Sequence, residues 1–250
     1  MALLRREDQL QVARFPMVDR YTLVGADTGS TQLKVGDLTW MPGADLPAHI
    51  HPERLAEETQ FIIDGELQAI YDDFHLTVKS GDVLLAPPGV KHGFANRSGQ
   101  IARMITIFPF TNPSDRFVDE GVVRTGRLPL GVIKRRDLVL TRPWPGVSQL
   151  VLVGVEQGAV STSAVELRFQ PSASIPEHSH IHVETAIFII EGNVLASYGG
   201  SRDVDLRAGD VLLIEPGLCH ELRNISELEV RLLMIIPAVQ PFPCHRDAIT

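Results

Sequence analysis

Cysteine is almost missing from this chain: Cys219 and Cys244 are the only two among 250 residues. Two thiols exclude a disulfide framework and lack the paired spacing of a zinc site, so each reads as a buried or idle thiol. Cys219 draws notice only because it stands beside His220, where it could line the same cavity. No apolar run is long enough to cross a bilayer, and the opening Met1-Ala2-Leu3-Leu4-Arg5-Arg6-Glu7-Asp8 puts charges where a signal peptide needs an apolar core. The expected location is therefore cytoplasmic. A basic surplus is also missing. With 23 Lys and Arg against 31 Asp and Glu, a net charge of −8, the chain has no broad footprint for nucleic acid or an anionic membrane. The expected partner is a small-molecule substrate, with association into a homo-oligomer left open. Helical signal is scarce too: no stretch holds an apolar period over three turns with clear caps, except the loop from Glu53 to Glu58.

What is present is a duplication. Asp8 falls on Asp137, Phe15-Pro16 on Trp144-Pro145, Gly25 on Gly154, Pro42 on Pro171, and Pro47-Ala48-His49 on Pro176-Glu177-His178, all at an offset of 129. The offset drifts to 127 or 128 further on, where Phe61-Ile62-Ile63-Asp64-Gly65 meets Phe188-Ile189-Ile190-Glu191-Gly192. Gly81-Asp82-Val83-Leu84-Leu85 recurs unchanged from Gly209 to Leu213, His92 and Asn96 meet His220 and Asn224, and Pro113 meets Pro241. Such self-similarity marks two copies of one unit. The division falls near residue 127, giving domains 1–127 and 128–250. Within each copy the apolar residues form short runs bounded by Gly, Pro and Asn. Leu33 to Trp40, Glu66 to Tyr71, Val83 to Ala86 and Ala102 to Phe108 read as strands, matched by Ala164 to Phe169, Val194 to Tyr198, Val211 to Ile214 and Val230 to Ile236. Many short strands with frequent turns predict an all-β chain of two sandwiches or barrels.

Each copy also holds a histidine and carboxylate set. The first runs Gly43, His49, His51, Glu58, Gly65, then Gly81-Asp82, Pro87, Gly89, His92 and Asn96. The second runs His178, His180, Glu184, Gly192, Gly209-Asp210, Gly217, His220 and Asn224. These residues resemble the two motifs of the cupin superfamily, once per half and over essentially the whole chain. The resemblance implies two tandem jelly-roll β-barrels forming an intrachain pseudo-dimer, a bicupin. It also implies that three histidines and a glutamate in each barrel bind one divalent metal. That makes His49, His51, Glu58 and His92 the ligands in the first half, and His178, His180, Glu184 and His220 those in the second.

Strand geometry agrees, because side chains one residue apart on a strand share a face, so His49 with His51 and His178 with His180 can look into a barrel together. Imidazoles with one carboxylate suit iron or manganese, and also nickel, cobalt or zinc, up to two ions per chain, and leave coordination positions open. In the first half Glu57 rivals Glu58, which is preferred for its spacing to Gly65. In the second half two counts disagree. Counting back from Gly192 puts Thr185 at the glutamate position; counting forward gives His178, His180, His182 and Glu184 one parity. Glu184 is taken as the ligand, with a bulge between His182 and Ile187 to reconcile the counts. His182 is then an extra residue on the ligand strand, read as a rim residue or as a catalytic base.

The aromatic set Trp40, Phe61, Phe94, Phe108, Phe169 and Phe188 is read as barrel filling, with some lining an apolar mouth. Asn96 and Asn224 are read as turn bridges, and Lys134-Arg135-Arg136, which falls on Arg5-Arg6-Glu7, as a solvated arm. The functional expectation is a metal-dependent enzyme acting on a small oxygen-bearing metabolite, a dioxygenase or other oxidoreductase first. A manganese hydrolase or isomerase, similar to bicupins acting on ureidoglycine, stands second, and a non-catalytic ligand-binding protein third.

Overall fold

The structure of the protein, a computed structural model, describes residues 2–12, 15–54, 56–121, 129, 131–200, 202–239 and 244–245. Among these the strands form two seven-stranded and two five-stranded antiparallel sheets, one of each per half. In the first half, the large sheet centres on Glu58–Asp64, Ala102–Phe108 and Lys34–Trp40, and the small one on Asp45–Ile50, His92–Ala95 and Glu66–Tyr71. The second half repeats this with Thr185–Glu191, Val230–Ile236 and Ser163–Phe169 facing Ser174–His180, His220–Arg223 and Asn193–Tyr198. Each pair of sheets closes into a jelly-roll barrel. The loop that offered a helix, Glu53 to Glu58, is instead bend and turn leading into the strand that opens at Glu58; Leu55 lies outside the described residues.

Burial explains the sequence pattern. The large sheets are covered on both faces, so their strands read as unbroken apolar runs. In Glu58–Asp64, Ile62 enters the first barrel's interior with Leu38, Trp40 and Met104, while Phe61 and Ile63 join a second layer. That layer is the interface between barrels: Phe61, Val83, Ile105 and Ile107 pack with Ala186, Phe188, Leu213 and Ile235 of the other half. The small sheets meet water outside, and Glu66–Tyr71 accordingly alternates buried residues with partly or fully exposed ones. Trp40 and Phe94 fill the first barrel and Phe169 the second, whereas Phe61 and Phe188 serve the interface. Asn96 and Asn224 bridge turns as expected; Asn96 Nδ2 donates to the carbonyls of Trp40 and Gln100 at 2.9 and 2.8 Å, and its Oδ1 accepts from Ser98 N at 3.0 Å.

The halves exchange arms. The division near residue 127 lies outside the described residues, and on either side of it the chain crosses over. Ala2–Leu4 pairs with Val211–Ile214 of the second half, and Val132–Ile133 pairs with Val83–Ala86 of the first. The basic run expected to be solvated fastens these crossings instead. Lys134 Nζ donates to Asp82 Oδ2 at 2.8 Å, Arg135 N to Asp82 Oδ1 at 3.1 Å, and the Arg135 guanidinium holds both oxygens of buried Glu166 at 2.9 and 3.1 Å. The duplicate contacts run from Arg5 to Asp210 at 2.7 Å and from Arg6 N to Asp210 at 3.0 Å. Only Arg136 is solvated as expected. Gly81, at φ +88°, lies so close under Arg135 that a Cβ there would come within 2.1 Å of its Cδ. The Gly-Asp pair of each half is therefore the socket for the other half's arm. Among the described residues no helix is long and apolar enough to cross a membrane.

Candidate metal centres

In the first barrel four side chains converge from three strands of the two facing sheets. His49 lies on Asp45–Ile50 with His51 just beyond its end, Glu58 opens Glu58–Asp64, and His92 opens His92–Ala95 opposite His49. All four are buried, and one donor atom from each lies within 4.8 Å of all the others. The Nδ1 atoms of His49, His51 and His92 lie 3.0, 2.7 and 2.9 Å from the carbonyls of Pro47, Ser114 and Val90. A carbonyl can only accept, so each Nδ1 carries a proton and each Nε2 is turned toward the shared space, that of His51 donating to Glu58 in the metal-free state. Glu58 Oε2 stands 2.9 Å from His51 Nε2 and 2.7 Å from His92 Nε2, the latter outside hydrogen-bond alignment. Donor atoms crowded this way around one point are what a shared cation requires, and the donor set suits a divalent transition metal.

The charges agree. Burial works against charge on Glu58, but the surrounding His92 and His51 hold its carboxyl well below the usual range. Burial and His92 push His49 down to about 4. Burial also opposes charge on His51, yet the bond to Glu58 wins and raises it to about 9. One carboxylate thus calls for positive charge within the group.

In the second barrel only three of the expected four meet. His178 and His180 on Ser174–His180 face His220, which opens His220–Arg223 opposite His178. These three form a buried group. Nδ1 of His178 and of His220 lie 2.8 and 3.1 Å from the carbonyls of Pro176 and Leu218, and the buried His220 Nε2 has no hydrogen-bond partner among the described residues. Burial, then His178, pushes His180 down to about 4 and His220 to about 3.

Glu184 is elsewhere, which corrects its assignment as a ligand. Its carboxylate accepts from Ser30 Oγ at 2.6 Å and from Thr31 N and Oγ1, both at 2.9 Å, all in the other half. The reason is parity. Residues 181–183 form a bend, and the strand restarts at Thr185 with Thr185, Ile187 and Ile189 turned to one side and Ala186, Phe188 and Ile190 to the interface. No bulge restores Glu184 to the interior face. Its duplicate is Glu57, which accepts from Val160 N and Ser161 N at 2.7 and 3.2 Å, so the rival of Glu58 is an interface clasp as well. Thr185 stands where Glu58 stands in the first barrel. His182 is exposed in the bend, outside the histidine group and outside the cavity wall, which removes the base role expected of it. Cys219 is half-buried and free, and does not line the cavity either.

Two residues of the first site escaped the sequence reading. Arg20, on Val18–Val24, lines the cavity with the four donors, and so does Asp115, whose Oδ1 lies 3.4 Å from His51 Nδ1. The duplication held a signal for Arg20, since it falls on Gln149, a change of charge between matched strands. Phe108 stacks edge-on to His51 at 4.8 Å and, with Phe15 and Phe94, gives this cavity its aromatic wall. The free space there is about 30 Å³, against about 200 Å³ beside the second triad.

A family model described as Cupin domain matches residues 36–108 and again 165–236. Among characterised proteins, the chain is 26% identical over 112 residues to Polyketide synthase CurC of Streptomyces cyaneus, covering 45% of this chain and 72% of that one. It is 24% identical over 98 residues to the tetracenomycin polyketide synthase protein TcmJ of Streptomyces glaucescens, covering 39% of this chain and 65% of that one. Among solved structures, oxalate decarboxylase of Lactobacillus farciminis in its formate complex superposes with a TM-score of 0.80 at 16% identity, over 97% of this chain and 87% of the other. Oxalate decarboxylase of Bacillus subtilis at pH 4.6 follows with 0.78 at 14% identity, over 95% and 76%.

Proposed function

The chain belongs to the cupin domain family, once in each half, and we propose that it is a metal-dependent enzyme whose first barrel acts on a small oxygen-bearing metabolite. The observation that carries this is the convergence of three imidazoles and one carboxylate on the wall of one cavity. Iron or manganese would be held by His49, His51, Glu58 and His92, and when bound would supply a Lewis acid with open coordination positions. The chain's own residues do the rest. Phe15, Leu38, Phe94 and Phe108 exclude bulk water, which strengthens every charge interaction inside. Arg20 and Asp115, on the same wall, give it one charge of each sign for orienting a polar substrate. The carbonyls of Pro47, Ser114 and Val90 fix the imidazoles, so the donors stand oriented before any ligand arrives.

Dioxygenase-type oxidoreduction is the first reading, because an open histidine and carboxylate site can take substrate and oxygen side by side. A non-redox manganese reaction is the second, favoured by the fold shared with a Bacillus subtilis oxalate decarboxylase that has Mn(II) centres. Elemental analysis of protein grown with added iron and manganese, followed by an oxygen electrode with hydroxy-acid and diketone substrates, separates them. Iron with oxygen uptake supports the first. Manganese, with turnover and unchanged dissolved oxygen, supports the second. No transition metal in wild type, or a content unaffected by His49→Ala with His51→Ala, overturns both.

A further inference from the structure

We propose that Gln60 and Thr106 set the specificity of the first barrel by binding a hydroxyl group of the substrate, which makes the substrate class a short hydroxy acid with a second, remote hydroxyl. This rests on the reading that the first barrel is a metal-dependent site, and it deepens that reading. The two residues are neighbours in one row across the large sheet, where antiparallel pairing sets Thr106 between Gln60 and Gly36. Gln60 shares the interior face of its strand with Glu58, two residues before it, and with Ile62, two residues after it. Thr106 lines the cavity together with Glu58 and the three histidines.

Both side chains are buried, Gln60 at 0% and Thr106 at 5% exposure, yet Gln60 Nε2, Gln60 Oε1 and Thr106 Oγ1 have no hydrogen-bond partner among the described residues. A buried amide or hydroxyl is costly unless something pairs with it. The duplication shows that the fold itself does not require them. The matching row of the second barrel is Ile187, Met234 and Val165, paired in the same register and packed into that barrel's apolar core. Three apolar side chains thus do in one copy what an amide, a hydroxyl and a glycine do in the other. The polar row lies in the barrel that brings His49, His51, Glu58 and His92 together. Gly36 keeps the row open, since a Cβ there would come within 2.9 Å of Thr106 Oγ1 and 3.4 Å of Arg20 Nε.

The chemistry of the pair selects the ligand group. An amide donates and accepts, and so does a hydroxyl, so the best single partner for both is a group that also does both. A hydroxyl fits. A methyl group would leave the amide unmet, and a carboxylate, which only accepts, would leave Gln60 Oε1 unmet. Strand rise puts Gln60 about 7 Å along from Glu58. That span suits an acid whose carboxylate end lies at the donor group while a hydroxyl two carbons on reaches Gln60. The free space, about 30 Å³, keeps the molecule short.

The test uses the full chain with His178→Ala and His180→Ala, loaded with cobalt(II), whose visible spectrum reports changes in coordination. If that chain does not fold, His220→Ala takes the place of the two. Glycerate and lactate are the probes, because they differ only in the remote hydroxyl. Glycerate is expected to bind roughly tenfold or more tightly than lactate. Gln60→Ile with Thr106→Met, the residues of the second barrel, should keep cobalt and bring the two affinities within about twofold of each other. Where that pair does not fold, Thr106→Val removes one hydroxyl at constant shape and should lower the preference for glycerate. The proposal is overturned if cobalt is bound and neither acid changes the spectrum, if both acids bind equally, or if the variant keeps cobalt and the full preference. In each of these cases the metal-site reading stands. Absence of cobalt from the chain would remove that reading, and this proposal with it.

Discussion

Replacing Glu166 with glutamine would test whether the exchanged arms hold the two barrels together. Glu166 is 1% exposed and receives hydrogen bonds from three guanidinium groups: Arg135 at 2.9 and 3.1 Å, Arg168 at 3.0 Å and Arg231 at 2.9 Å. Arg135 belongs to the crossing arm, so this carboxylate joins an arm anchored on the first half's sheet to the core of the second. Glutamine keeps the shape and removes the charge. Arg135 and Arg168 are about a third exposed, so the pairs they lose are worth about 0.2–1 kcal/mol each. Arg231 is 9% exposed and keeps only a 3.5 Å contact to exposed Glu191, so it is left buried beside a neutral amide, a situation that costs about 3 kcal/mol at the low end of the buried-pair range. Titration gives a figure of similar size. Burial pushes the Glu166 carboxyl up, but Arg135 and Arg231 outweigh it and hold it at about 2, against an ordinary 4.5. That depression corresponds to about 3 kcal/mol of stability. Because the folded value lies below the unfolded one, this contribution is fully present above pH 4.5 and fades as pH falls toward 2. Urea unfolding of metal-free protein should therefore show Glu166→Gln destabilised by about 3–5 kcal/mol at pH 7, with the gap to wild type closing between pH 4.5 and 2. A gap under about 1 kcal/mol at pH 7, or one that does not shrink in acid, would refute the reasoning.

Two further substitutions follow from the second half. Glu184→Ala removes the acceptor held by Ser30 and Thr31, so thermal unfolding should show a loss of about 1–3 kcal/mol while metal content stays at the wild-type level. A loss of metal without a loss of stability would restore Glu184 as a ligand. His182→Gln should leave kcat within about twofold of wild type, since an exposed residue outside the cavity is not placed to move a proton; a fall on the order of 10²–10⁴ would return it to catalysis. A third expectation concerns rank: in protein purified without added metal, His49→Ala with His51→Ala should remove more metal than His178→Ala with His180→Ala, because only the first group includes a carboxylate. Elemental analysis that finds equal losses would contradict it.

The features legible in the sequence were those carried by local spacing. His49 and His51 share a face because a strand repeats every two residues, and the unbroken apolar runs of Phe61-Ile62-Ile63 and Phe188-Ile189-Ile190 follow from sheets covered on both sides. Glu184 shows where that logic ends. Parity carries information only along one continuous strand. The count forward from His178 passed through the bend at 181–183, whereas the count back from Gly192 stayed on Thr185–Glu191 and reached Thr185. The arms were illegible for a different reason. Lys134 and Arg135 look like surface charge until Asp82 and Glu166 arrive from 52 and 31 positions away, and no local pattern announces that meeting. The duplication could have supplied both corrections. Glu57 and Glu184 match at one offset and clasp opposite halves, and Arg5-Arg6 match Lys134-Arg135 and do the same. In a duplicated chain, a matched pair of residues whose partners cannot be found within its own copy points to the other copy, because a pseudo-twofold interface must use each such position twice.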